Sequence, residues 1–134
     1  MTRLTIEQAE SLCAGALRRA GAAPEPAASL ARALIDAEAC GQPNLGLAHL
    51  PDHLDAIRKG RIRGDAVPAL SRPAPAVIVS DAGAGIAQLG YDMAHDDLVA
   101  AARAFGLALF AQHNAYTCGS LGWFAARLAR QGLV

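Results

Sequence analysis

Two groups of residues have types and spacing suited to chemistry. His49 and His53 lie four positions apart, a spacing that sets both imidazoles on one face of a helix. Such a pair can hold a metal ion when a third ligand joins it, or, when protonated, can pair with a substrate carboxylate. Asp52 and Asp55 lie on neighbouring faces, and spacing alone places no third Cys, Asp or Glu ligand beside the pair. The expectation is therefore no metal, and spacing alone supports ordinary surface histidines. The second group is His113-Asn114-Ala115-Tyr116-Thr117-Cys118-Gly119-Ser120, the densest polar stretch of the chain. Lying after a strand and before a helix, its backbone N–H groups can receive an anion. Cys118 or Ser120 would also be a nucleophile close to a helix N-terminus, where a thiol pKa falls. The plain alternative is a helix cap with a buried cysteine.

The elements that position these groups follow from periodicity. Thr5-Ile6-Glu7-Gln8 has the pattern of a capping box, and a stripe of Ile6, Ala9, Leu12, Cys13, Ala16 and Leu17 carries a first helix to about Gly21. Pro24 and Pro26 open a second helix ending near Cys40, and Gly41-Gln42-Pro43-Asn44 breaks it. A third helix is expected from Leu47 to Lys59, closed by Gly60. Residues 63–75, with Gly64, Pro68, Pro73 and Pro75, read as an extended connector. A strand at Ala76–Ser80, a helix at Gly90–Phe105, a strand at Leu107–Gln112 and a helix at Ser120–Gln131 follow. His95, Asp96 and Asp97 read as a solvated helix face, and Trp123 and Phe124 as core. Leu133-Val134 reads as the start of a buried strand. The expectation is thus an α/β architecture: an N-terminal helical region over 1–62, the connector over 63–75, and the first part of a sheet domain over 76–134. Another polypeptide or further sequence would complete that sheet.

Composition removes several functional classes. With 53% hydrophobic residues the chain can build a core, and its 12 basic and 12 acidic residues cancel, so nothing steers it toward nucleic acid or an acidic membrane. Cys13, Cys40 and Cys118 form no CxxC pair, which points to reduced thiols and a cytoplasmic protein. No apolar run approaches the ~20 residues that span a bilayer. Asp81-Ala82-Gly83-Ala84-Gly85 lacks the full GxGxxG spacing and reads as a glycine turn between strand and helix.

From Gly41-Gln42-Pro43-Asn44-Leu45-Gly46-Leu47-Ala48-His49-Leu50 onward, the chain resembles the malate/L-lactate dehydrogenase family, the non-Rossmann group that includes ureidoglycolate, sulfolactate and cyclic-imine oxidoreductases. The resemblance continues through Ile57-Arg58-Lys59-Gly60-Arg61-Ile62, Asp81 to Gln88 and Asn114 to Gly119. It covers the whole chain but only the N-terminal part of such enzymes. It implies a sulfolactate-dehydrogenase-like fold and NAD or NADP as cofactor if redox chemistry persists. It also implies a small 2-hydroxy, 2-oxo or cyclic imino acid as substrate, and a dimer of the unit completed by a C-terminal chain of the same fold. Where the family has Asp-Ser-His-Gly, with the His as acid/base, this chain has Pro43-Asn44-Leu45-Gly46. The family's carboxylate-binding Arg corresponds to His49, its next aromatic position to His53, and the His of its Asn-x-x-His motif to Thr117. By this resemblance His49 and Thr117 are the catalytic candidates. Asn44, His49 and His53 become substrate contacts, and Asn114, Gly119 and Ser120 cofactor contacts. Two other readings stand beside an oxidoreductase with an altered site. One is a chain of a self-cleaved hydrolase or acyltransferase whose N-terminal nucleophile lies on the partner chain. The other is an inactive structural subunit.

Overall fold

Thr5 starts the first helix as its sequence requires. Its hydroxyl accepts the Gln8 N–H at 3.2 Å, and the Gln8 side chain accepts the Thr5 N–H at 3.0 Å, so two donors that a helix start leaves free are both satisfied. The structure, a computed structural model, describes residues 3–134. Its order is α1 (Ile6–Ala20), α2 (Pro24–Ala39), a 3-10 turn (Leu47–His49), α3 (Leu50–Arg58), β1 (Ala69–Ala74), β2 (Val77–Asp81), α4 (Ala87–Phe105), β3 (Leu109–His113) and α5 (Leu121–Ala129). The sheet order is β1-β2-β3, with β1 antiparallel and β3 parallel to β2. This confirms the expected α/β architecture. No helix among the described residues is long and apolar enough to cross a membrane.

Two apolar clusters hold the layers together. Cys13 and Leu17 of α1, Leu30 and Leu34 of α2, and Ile57 of α3 form the first, closed by Ile62 and Ile86. Ile78 of β2, Tyr91, Ala94 and Leu98 of α4, and Trp123 of α5 form the second. A charged knot seals its rim. Asp92 accepts hydrogen bonds from Ser29 at 2.6 Å and Arg32 at 2.7 Å, and it also pairs with Arg127. The Arg127 guanidinium lies 4.6 Å above the Trp123 ring, where the ring's electron-rich face attracts it.

Helix α4 rests on the sheet through Gly90. A Cβ built there would lie 2.2 Å from Gln112 Oε1 and 2.4 Å from Ser80 Oγ. Those two side chains are already bonded to each other at 3.1 Å, and the Gln112 amide donates to the Ala87 carbonyl at 3.0 Å. Helix α4 begins at Ala87 and runs through Gly90 rather than starting there: this glycine is a contact, not a helix boundary.

Other expectations are corrected. The connector over 63–75 contains β1. Its six residues are all exposed and its pairing is irregular between Ser71 and Ala74, around Pro73. Proline is tolerated at such an edge position, and no alternating apolar pattern announced the strand. The third helix begins as a 3-10 turn, and the second predicted strand lies two residues later at its start, Leu109–His113. Beyond Gly132, whose φ is 77°, the Leu133 N–H donates to the Leu128 carbonyl at 3.2 Å and closes α5. His95 is buried, not solvated. Its ring meets Tyr91 edge-on with centroids 5.7 Å apart, and only Asp96 and Asp97 face outward. Trp123 is buried, as expected, and Phe124 packs against its cluster.

Two measurements check this packing. Gly90→Ala forces the Gln112 and Ser80 side chains aside, so the protein should lose about 1–3 kcal/mol of stability in a denaturant titration. Burial, reinforced by Glu10, pushes the Cys13 thiol up to about 11. At mildly alkaline pH a thiol reagent should therefore modify exposed Cys40 and half-buried Cys118 in the native state, and Cys13 only after unfolding.

Candidate functional site

Chain geometry around α3 brings its two histidines together. Gly46 packs so closely on α2 that a Cβ there would meet Glu38 Oε2 at 2.6 Å and the Glu38 nitrogen at 2.9 Å. The Glu38 carboxylate accepts the Leu47 N–H at 2.9 Å and so anchors the 3-10 turn that carries His49. Pro51 occupies the first turn of α3, where a missing N–H leaves no hydrogen bond unmade. One turn on, His53 is 1% exposed, and its Nδ1 lies 3.0 Å from the His49 carbonyl oxygen. Because that oxygen can only accept, Nδ1 carries the proton and Nε2 keeps its lone pair. The two rings meet edge-on with centroids 4.6 Å apart. Burial, more than any neighbouring charge, lowers the His53 pKa from 6.5, favouring the neutral ring.

The loop after β3 supplies the other wall. Tyr116 packs edge-on to His53 with centroids 5.8 Å apart, and its hydroxyl donates to Asp52 Oδ2 at 3.0 Å. That bond, ahead of burial, raises the Tyr116 pKa above its ordinary value. Arg61 reaches the same hydroxyl at 3.4 Å while pairing with Asp55 at 2.8 Å. One ligand atom from each of His49, Asp52 and His53 lies within 4.8 Å of the others. The carboxylate that spacing left unplaced is therefore Asp52, and His53 is not a surface histidine. Asp52, three positions after His49, was visible in the sequence. Tyr116 was not, because its contact with Asp52 spans 64 residues and no local pattern marks it.

The remaining candidates take different places. Asn114 adopts a left-handed φ of 53°, and its amide donates to Asp81 at 3.0 Å. Asp81 also accepts the Gly83 N–H at 2.8 Å, and this bond first, then Asn114, holds its carboxyl below the ordinary range. The Ser120 hydroxyl donates to Gln42 at 3.0 Å, tying the loop to the turn after α2. Thr117, next to Tyr116, is exposed, and its hydroxyl faces the Gly119 N–H at 3.5 Å. Gly119 has a φ of +68°, a backbone conformation that suits glycine. The buried Gln88 amide donates to the Cys118 carbonyl at 2.8 Å and fixes the loop from below. Asn44 is exposed in the turn before the 3-10 segment. An open depression of about 570 Å³ runs along this loop, lined by His113 to Cys118 together with Ala87, Phe110 and Gln112.

The comparisons bear on the family and the fold. The sequence profile of the malate/L-lactate dehydrogenases matches residues 4–134. A Δ1-pyrroline-2-carboxylate reductase of Ancylobacter novellus is 35% identical over 119 residues, which cover 89% of this chain and 35% of that protein. A (2R)-3-sulfolactate dehydrogenase (NADP+) of Chromohalobacter salexigens is 36% identical over 131 residues, covering 98% of this chain and 39% of that one. Among solved structures, Δ1-piperideine-2-carboxylate reductase from Pseudomonas syringae superposes with a TM-score of 0.95 at 26% identity, over 98% of this chain and 40% of that chain. The chain thus spans well under half the length of the relatives it matches.

The Asp52–Tyr116 bond gives a direct test of how this site is held. A double-mutant cycle of Asp52→Asn and Tyr116→Phe should return a coupling of about 0.5–1.5 kcal/mol by urea titration. The Tyr116 pKa is raised from 10.0, so this contribution is whole below the unfolded value and lost as pH rises through the higher folded one. Alkaline unfolding of Tyr116→Phe should lack that component.

Proposed function

Because this chain belongs to the malate/L-lactate dehydrogenase family, we propose that it forms the substrate-facing part of an NAD(P)-linked reductase. Its substrate on this reading is a small cyclic imino acid. The observation that carries the choice is the set of side chains at the site: His49, His53, Asp52 and Tyr116 cluster, while Leu45 and Thr117 stand where the family resemblance calls for histidines. Reduction of a ketone needs a positioned acid to protonate the forming alkoxide. An imine nitrogen is basic enough to take its proton from water or a weak donor, so it tolerates a site with Leu45. Cyclic-imine reductases among the relatives support the same choice.

On this reading His49 receives the substrate carboxylate, with His53 behind it and Asn44 at the mouth of the site. The exposed Thr117 hydroxyl orders the water that protonates the imine nitrogen. The depression along the β3–α5 loop, between Phe110 and Phe124 on its apolar side and Asn114 and Thr117 on its polar side, would take the planar ring. Gly119, through its backbone, with Asn114 and Ser120 beside it, would hold the nicotinamide. Bound there, the cofactor would supply the hydride. Sequence corresponding to the part of the relatives that this chain does not span completes the catalytic unit along the open edge of β3, and the completed units pair as dimers.

The test is oxidation of NADH or NADPH by the completed catalytic unit, this chain purified together with the sequence that adjoins β3, with Δ1-pyrroline-2-carboxylate, Δ1-piperideine-2-carboxylate, pyruvate or oxaloacetate. The cyclic imines should turn over best. His49→Ala should raise KM for them about 10- to 100-fold, with kcat less affected, as expected for losing one charged hydrogen bond. Absence of turnover with either nucleotide, or a KM that ignores His49→Ala, would sink the reading.

A further inference from the structure

We propose that His49, Asp52 and His53 form a binding site for one divalent transition-metal ion, with Zn²⁺ as the best-matched species. The site shares His49 and His53 with the reductase reading, which itself requires no metal.

The ligand set is two imidazoles and one carboxylate, which suits zinc and its neighbours and not the oxygen-seeking Mg²⁺ or Ca²⁺. The His49-x-x-Asp52-His53 spacing puts all three on one face, and their ligand atoms lie within 4.8 Å of one another. A tetrahedral shell with bonds of about 2.0 Å needs ligand atoms about 3.3 Å apart. The site must therefore close by roughly 1.5 Å at its widest through side-chain rotation, for which the half-buried His49 and the exposed Asp52 have room.

The surroundings are what a metal site needs, and two of them stand independently of the spacing. A ligating histidine commonly donates its other ring N–H to a backbone carbonyl, which fixes the tautomer and aims the free lone pair. His53 does this at 3.0 Å to the His49 carbonyl. A ligating carboxylate is commonly oriented by a hydrogen bond to its second oxygen. Tyr116 does this for Asp52 at 3.0 Å. Arg61 is the nearest opposing charge, but it pairs with Asp55 at 2.8 Å and stands 4.0 Å from Asp52. Three protein ligands leave a fourth position for water or another oxygen donor, as in open zinc sites.

The experiment is calorimetric titration of the purified protein, carrying no histidine tag, with Zn²⁺ alone. Co²⁺ is titrated in parallel for its visible absorption bands. One ion should bind per chain, with cobalt bands of tetrahedral intensity. His49→Gln and Asp52→Asn, both at least partly exposed, should each weaken binding by tenfold or more, and Tyr116→Phe by about tenfold through the orientation of Asp52. Thermal melts of the apo variants show whether each is folded. No saturable binding, or binding unchanged in folded His49→Gln and Asp52→Asn, overturns the site. The titration reads metal without turnover, so its failure is separate from failure of the reductase assay.

Discussion

The close approach of α4 to the sheet at Gly90 governs most of what is built around it. With no side chain there, Ser80 and Gln112 meet beneath the helix, and Gln112 reaches the Ala87 carbonyl. That seat fixes the first turn of α4, from which the buried Gln88 holds the Cys118 carbonyl. One turn later it sets Tyr91 against Trp123 and Phe124. The β3–α5 loop is thus placed by a helix that the loop itself never joins in sequence. A larger residue at one position would disturb the sheet packing and the loop together, because dense interiors transmit such shifts.

Much of this architecture was legible in the chain. The Thr5–Gln8 capping box, the apolar stripe of α1 and the proline-opened α2 are local signals, and local signals survive into the fold because nothing nearby contradicts them. β1 was not legible. Its side chains all face solvent and one is Pro73, so neither alternation nor β-propensity marks it; only pairing with β2 makes it a strand. Gly90 misled for the opposite reason, since a glycine that permits contact looks in sequence like one that bounds a helix. His95 misled because Asp96 and Asp97 beside it suggested a polar face, while the ring itself turned inward onto Tyr91.

The site divides in the same way. His49 and His53 were placed on one helical face by spacing, and the structure puts their rings edge to edge. What spacing could not supply was depth, and depth decides the chemistry: a buried imidazole with a defined tautomer differs from a solvated one. Family resemblance supplied the positions where histidines were missing, at Leu45 and Thr117. It could not supply Tyr116 as the partner of Asp52, a contact made only when the loop after β3 folds back on α3. Nor could it supply the bond from the Asn114 amide to Asp81, which ties the loop after β3 to the turn after β2.

The two borders of the sheet are unlike, and this gives the sheet a direction. On the β1 side, Pro73 withholds an N–H, the pairing is irregular between Ser71 and Ala74, and Arg72 carries a charge that is paired with Asp97. These are devices that discourage a further strand. On the β3 side, the backbone is regular and parallel to its neighbour, and Leu109 stands 55% exposed. The sheet therefore discourages extension at one border and leaves the other open, which favours the β3 side for any further strand.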